Sequence, residues 1–127
     1  MCYQWIAGAC GLAAMVLVSP AGAQGDERLY VYCDNGTRCI QAPCASRSAR
    51  DVQSGETLAG IHLDLSGLAE AERKRSDLHD ALYHGTLVLG GRKTTAQVDG
   101  SQVPALAISR IVRPSNKTER SHCSSGR

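Results

Sequence analysis

The pattern of apolar and polar positions divides the chain sharply. Residues 6–18 form an unbroken apolar run, and no comparable run recurs afterwards. Beyond it the pattern is short-period and punctuated by glycine. In Arg28-Leu29-Tyr30-Val31-Tyr32-Cys33, Leu29, Val31 and Cys33 alternate with Arg28, Tyr30 and Tyr32. Alternation among strand-forming residues predicts a β-strand. Asp34-Asn35-Gly36-Thr37 predicts a turn, because Asn-Gly tolerates positive φ. Residues 37–56 are weakly patterned, with a short strand read around 46–52 and a turn at Gln53-Ser54-Gly55.

Residues 57–65 predict one strand, with Ala59, Ile61, Leu63 and Leu65 on its buried face. Residues 68–84 then predict a helix. Ala69, Glu70, Ala71, Glu72, Arg73, Lys74 and Arg75 are good helix formers, and Leu68, Ala71, Leu78 and Leu82 lie near one stripe. Arg75 interrupts that stripe, and Ser76-Asp77 could split the helix in two. Gly85 supplies a C-terminal stop. A strand over 86–89 leads to a bend or bulge at Gly90-Gly91, and 92–98 continues extended. Asp99-Gly100 is a hairpin signal, and 103–112 returns as a strand with Pro104 near its start.

This order predicts a small α+β domain: an antiparallel, partly closed sheet packed on one helix. An OB-like barrel, with a helix between its third and fourth strands, has the same order of elements.

The apolar run changes the reading of everything after it. Ser19-Pro20 breaks a helix behind it, and Ala21 and Ala23 place small side chains where signal peptidase needs them. Residues 1–23 are therefore read as a cleavable leader, although no Lys or Arg precedes the run. The rival readings are a buried or anchoring helix, and a lipid anchor on Cys10. About 13 apolar residues are too few to cross a bilayer needing about 20. The 127 residues less the first 23 leave 104, enough for one modest core. Residues 24–114 are read as that domain and 115–127 as a basic polar tail, mobile unless Cys123 ties it down.

Cysteine usage follows from the leader. Cys2 and Cys10 fall inside it, and Cys33, Cys39, Cys44 and Cys123 remain. Four cysteines in a small exported domain predict two disulfides, for which three pairings are open. Cys39–Cys44 with Cys33–Cys123 is preferred: one bond closes a tight loop and the other pins the tail. Zinc is the alternative, held by the four cysteines or by cysteines with His62, His79, His84 or His122. The C-x5-C and C-x4-C spacings are looser than a zinc knuckle, and residues 79 and 84 diverge on a helix. The C-x2-C motif of redox catalysts is absent.

Charge narrows the field further. The formal charge is +2, with 14 Lys and Arg against 12 Asp and Glu. That balance points neither to nucleic acid nor to a membrane surface. The basic residues Arg110, Arg113, Lys117, Arg120 and Arg127 are not interleaved with aromatics, as single-strand binding would need. Glu72-Arg73-Lys74-Arg75 reads as a solvated helix face. Tyr30, Tyr32 and Tyr83 are candidates for a binding surface or for the edge of the core. Asn35-Gly-Thr37 and Asn116-Lys-Thr118 match glycosylation sequons, which matter only in a eukaryotic secretory pathway.

The candidate catalytic pair is His62 and Asp64, two residues apart on one strand face, where an imidazole and a carboxylate can touch. No G-x-S-x-G setting supplies a nucleophile. The residues thus favour a periplasmic or secreted binding module for an envelope or secreted protein, with no cofactor. A small hydrolase using His62 and Asp64 is the alternative.

Four segments, Cys39-Ile-Gln-Ala-Pro-Cys44, Ile61-His-Leu-Asp-Leu-Ser-Gly-Leu68, Leu82-Tyr-His-Gly-Thr-Leu-Val-Leu-Gly90 and Leu106-Ala-Ile-Ser-Arg-Ile-Val112, carry a resemblance. They resemble a family of small exported bacterial domains with a C-x-x-x-P-C loop and no established activity. The resemblance implies a bacterial source and the Cys39–Cys44 loop. It does not extend to Cys33 or Cys123.

Overall fold

The computed structural model describes residues 27–41 and 44–124, so the leader expected over 1–23 lies outside the described residues. The chain is mixed α+β. Six strands, β1 (Arg28–Asp34), β2 (Arg47–Asp51), β3 (Thr57–Ala59), β4 (His62–Asp64), β5 (Leu87–Val98) and β6 (Ser101–Pro114), form one sheet in the order β3-β2-β1-β5-β6-β4. Two short helices, α1 (Glu70–Arg73) and α2 (Leu78–His84), lie between β4 and β5.

The long β5–β6 hairpin is the backbone of the fold. Asp99 and Gly100 take φ of 50° and 78°, the left-handed pair that a two-residue turn requires. The ladder runs from Val98↔Ser101 to Leu87↔Pro114. Its register slips between Val88 and Leu89 and again between Gly90 and Gly91. These irregularities bend the hairpin. A Cβ on Gly91 would meet Ala107 O at 2.6 Å, so this bend needs a residue without a side chain. Pro104 sits one residue before Ala105–Ala107, the stretch of β6 that also pairs β4.

The strand expected over 57–65 is two strands. Gly60, at φ 72°, breaks it, and its halves go to opposite edges of the sheet. β3 pairs antiparallel with β2, while β4 pairs parallel with β6. The break also shifts the alternation by one residue. Leu58 packs against the core and Ala59 is exposed, whereas Ile61 and then Leu63 point inward after the glycine. Only Gly60 and Ile61 separate the two edge strands. Three Cα–Cα steps reach at most about 11 Å, whereas six flat strands at about 4.8 Å spacing would span about 24 Å. The sheet must therefore curl until its edges nearly meet. No ladder joins β3 to β4, so it is not closed by hydrogen bonds.

The single helix expected over 68–84 is likewise two. α1 buries nothing, whereas α2 buries Leu78, Ala81 and Leu82. A continuous helix would carry Arg75 into the stripe. The break at residues 74–77 instead leaves Arg75 paired with Asp77, at 2.8 and 2.9 Å, in solvent. It lets Leu68 and Leu78 both enter the core. Gly85 ends α2 at φ 71°.

Burial has two sides. The concave side holds the main core, including Tyr30, Leu78, Leu89, Leu106 and Ile108. Val31, Cys33, Val88 and Cys123 form a second cluster on the other side. β1 and residues 87–91 of β5 are therefore covered on both faces, whereas β5 is exposed over residues 92–95. Tyr30, a candidate for a binding surface, is core. Each fully buried Leu here contributes about 2–3 kcal/mol of apolar transfer.

Candidate functional site

β1 and β2 are joined by residues 35–46, and the Cys39–Cys44 bond crosses this connection with Cα atoms 5.6 Å apart. The base of the loop is tightly made. Asn35 N donates to Ser46 O at 2.8 Å, and Asn35 Nδ2 donates to Ala45 O and Ser48 Oγ, each at 2.7 Å. Thr37 N donates to Asn35 Oδ1 at 2.9 Å. Such an Asx turn is what the Asn-Gly signal implies.

Asp34, only 2% exposed, anchors the structure beneath. Arg38 grips it bidentately, Nη1 to Oδ1 at 3.0 Å and Nη2 to Oδ2 at 3.2 Å. Gly36 N and Ser124 Oγ donate to the same carboxylate at 3.2 and 2.9 Å. The Arg38 guanidinium is the largest influence on this carboxyl and holds it down to about 2, against the opposing effect of burial. Arg38 also reaches Tyr83 Oη at 3.2 Å, and the Arg47 guanidinium lies over the Tyr83 ring at 4.9 Å. Tyr83 is thus a brace between α2 and the loop. Above this base Ile40 is fully exposed, the one large hydrophobic side chain so placed among the described residues.

A shallow groove of about 240 Å³ runs beside the loop, lined by Tyr32, Cys44, Arg47, Ile61, His62 and Val103 among others. A more apolar groove of about 390 Å³ lies between β3 and the β5–β6 hairpin, against Leu58, Ile61, Pro104 and Ala105. It marks the gap where the curled sheet stays open.

His62 and Asp64 line different clefts, although the charge of His62 still acts on the Asp64 carboxyl. His62 faces the first groove, whereas Asp64 lines a separate cleft of about 210 Å³ with Glu27, Ser66 and Ser109. Asp64 Oδ1 accepts Ser66 N at 2.9 Å, and this bond keeps its carboxyl below the ordinary carboxylate range. Ser109 Oγ is committed to Glu27 and Gly90 O, each at 3.1 Å.

The second disulfide joins Cys33 to Cys123 across 90 residues. It fastens residues 115–124 over the outer face of β1 and β5. Of the segment expected to be a mobile tail unless Cys123 held it, residues 115–124 are held here, and by more than one bond. Asn116 N donates to Glu119 Oε1 at 3.0 Å and Glu119 N to Asn116 Oδ1 at 2.9 Å, a reciprocal cap. Arg113 grips Glu119 bidentately at 2.8 and 2.7 Å and holds its carboxyl down to about 2. Arg120 Nη1 donates to Ser115 O at 2.6 Å. Arg110 pairs with Glu27. Most of the apparent basic tail is therefore spent on internal bonds.

His122 lies against this disulfide, its Nε2 3.3 Å from Cys33 Sγ and 3.7 Å from Cys123 Sγ. Among the described residues, the histidine that groups with two cysteines within ligand reach is His122, with Cys33 and Cys123. His84 pairs with Asp80 at 3.5 Å, and His62 lines the groove beside Cys44. Neither Ile40 nor the Asp34–Arg38 brace stands out in the sequence. The one usable signal was the close spacing of Cys39 and Cys44, which demands a tight and therefore exposed loop.

Among the described residues, no helix is long and apolar enough to cross a membrane. No family model, curated protein or solved structure matches the chain.

Proposed function

We propose that the chain is an exported interaction module that grips a partner protein through its disulfide-closed β1–β2 loop, with Ile40 as the anchor. The observation that carries this reading is the full exposure of Ile40 beside the Arg38–Asp34 pair and within the Cys39–Cys44 crosslink. An isoleucine in water forgoes about 1.5–3 kcal/mol of burial, which a partner's apolar socket recovers. A crosslinked loop loses little further entropy on binding, so more of that gain appears as affinity. The two disulfides are compatible with an oxidising compartment, as the leader reading requires.

The strand order supports an OB-like reading of the architecture. The chain runs β1, β2, a third strand broken at Gly60, two helices, then β5 and β6, with the broken strand bridging both edges. OB-like barrels bind ligands with the face of their second and third strands and with the loop between their first two. In this chain that loop carries Ile40. This support is fold-level analogy, secondary to the exposed side chain.

The test is capture of partners from an envelope extract by the oxidised protein and by Ile40→Asp. The variant should melt within about 1 °C of the parent, because an exposed side chain contributes little to stability. It should capture markedly less of any partner. Equal capture by the two proteins, or capture no greater than that of a reduced and unfolded control, would refute the proposal.

A further inference from the structure

We propose that Cys33, His122 and Cys123 form a zinc site in the reduced chain, so that the outer-face disulfide and a Cys2His centre are alternative states of one locus. The two sulfurs and a ring nitrogen already lie within 4.8 Å of one another. Zinc–sulfur bonds of about 2.3 Å and zinc–nitrogen bonds of about 2.0–2.1 Å set a tetrahedral S···N edge of about 3.6 Å. The observed separations from His122 Nε2, 3.3 and 3.7 Å, bracket that edge. Only the sulfurs must move, to about 3.8 Å apart once their bond is broken.

Two further features favour the site. First, His122 is incompletely satisfied beside the disulfide. Its Nε2 contacts Val31 O at 3.2 Å, whereas buried Nδ1 makes no hydrogen bond of ordinary geometry, the Glu119 backbone lying near enough only to act on the ring. Moving the ring proton to Nδ1 frees the Nε2 lone pair for a metal. Second, the turn carrying His122 and Cys123 does not depend on the disulfide alone. The Arg113–Glu119 pair, the Arg120–Ser115 bond and the Ser124–Asp34 bond hold it near β1. Cleaving the S–S bond therefore leaves the three ligands close together. His122 is half-buried, so a water can occupy the fourth position.

The conversion balances with a dithiol reductant. Two electrons and two protons pass to the Cys33–Cys123 bond, giving two thiols, and the dithiol closes to its own disulfide. Zinc(II) then displaces both thiol protons to solvent. Two thiolates neutralise the ion, and the neutral imidazole completes the protein ligands. This inference does not rest on the Ile40 reading.

The test uses the full chain with Cys2, Cys10, Cys39 and Cys44 all replaced by Ser, which leaves one pair of thiols. The protein is reduced with a phosphine, freed of reductant without air, and titrated with cobalt(II) and then zinc(II). One equivalent of cobalt should give sulfur-to-cobalt charge-transfer absorption that zinc abolishes, and the oxidised protein should give none. Outer-shell partners alone change metal affinity by about 10–100-fold, so His122→Ala should weaken binding at least about tenfold. Adding Cys33→Ser should remove the absorption. Absence of the band, or His122→Ala binding as tightly as its parent, would overturn the proposal. Circular dichroism covers the case in which the reduced, metal-free chain unfolds. Zinc should then restore the fold, and failure to do so also overturns the proposal.

Discussion

Asp34→Asn isolates the contribution of one buried charge. The substitution keeps the shape and removes the charge that Arg38 grips. The carboxyl titrates at about 2 in the folded chain, against an ordinary 3.8. At about 1.36 kcal/mol per pH unit that gap is about 2.4 kcal/mol. The Arg38 side chain is 64% exposed, so solvent screens the pair. A discounted value of about 1–2 kcal/mol follows. Because the folded value lies below the unfolded one, this stabilisation is complete above pH of about 4. It is lost as the pH falls towards about 2. The difference between parent and variant should thus be about 1–2 kcal/mol at pH 7, or roughly 5–15 °C in Tm for a domain of this size. It should shrink towards zero near pH 2, where the parent's own carboxyl takes up its proton. Other carboxylates titrate in both proteins and cancel. Thermal unfolding followed by circular dichroism at the two pH values measures it. A difference that is equal at both pH values, or below about 0.5 kcal/mol at pH 7, would refute the assignment of Asp34 as a charged brace.

Two other outcomes are expected. Gly85→Ala should destabilise by about 2–4 kcal/mol in denaturant melts, because φ is 71° and the new Cβ would lie 2.6 Å from Cys123 Sγ. A loss under 1 kcal/mol would mean that the turn over β1 is looser than described. Removing Cys33–Cys123 by paired Ser substitutions should cost about twice as much as removing Cys39–Cys44. Chain entropy assigns about 4.6 kcal/mol to a loop of about 90 residues and about 2.2 kcal/mol to one of about six. Melts of the two double variants would check the ranking.

The sequence by itself determined what depends on a residue and its near neighbours. Asp99-Gly100 can take two successive positive φ values, so the hairpin is legible there. Gly85 ends a helix for the same reason, and the alternation in 28–33 marks a strand whichever side is buried. The leader reading over 1–23 remains a matter of sequence alone. Tertiary structure decided whatever depends on which distant surfaces meet. Alternation through 57–65 reads as one strand, but its two halves find partners at opposite edges of the sheet, and Gly60 is the residue flexible enough to permit it. Residues 68–84 favour helix throughout, yet burying Leu68 and Leu78 together without Arg75 requires a break. Local spacing leaves three disulfide pairings open. The packing of residues 115–124 across β1 puts Cys123 on Cys33 and brings His122 with it. Ile40 carries no local mark of exposure; it stands out because every comparable side chain described finds cover in the curled sheet. Backbone preference is a property of a few residues, whereas burial belongs to the whole fold, so the candidate site was the part least legible in advance.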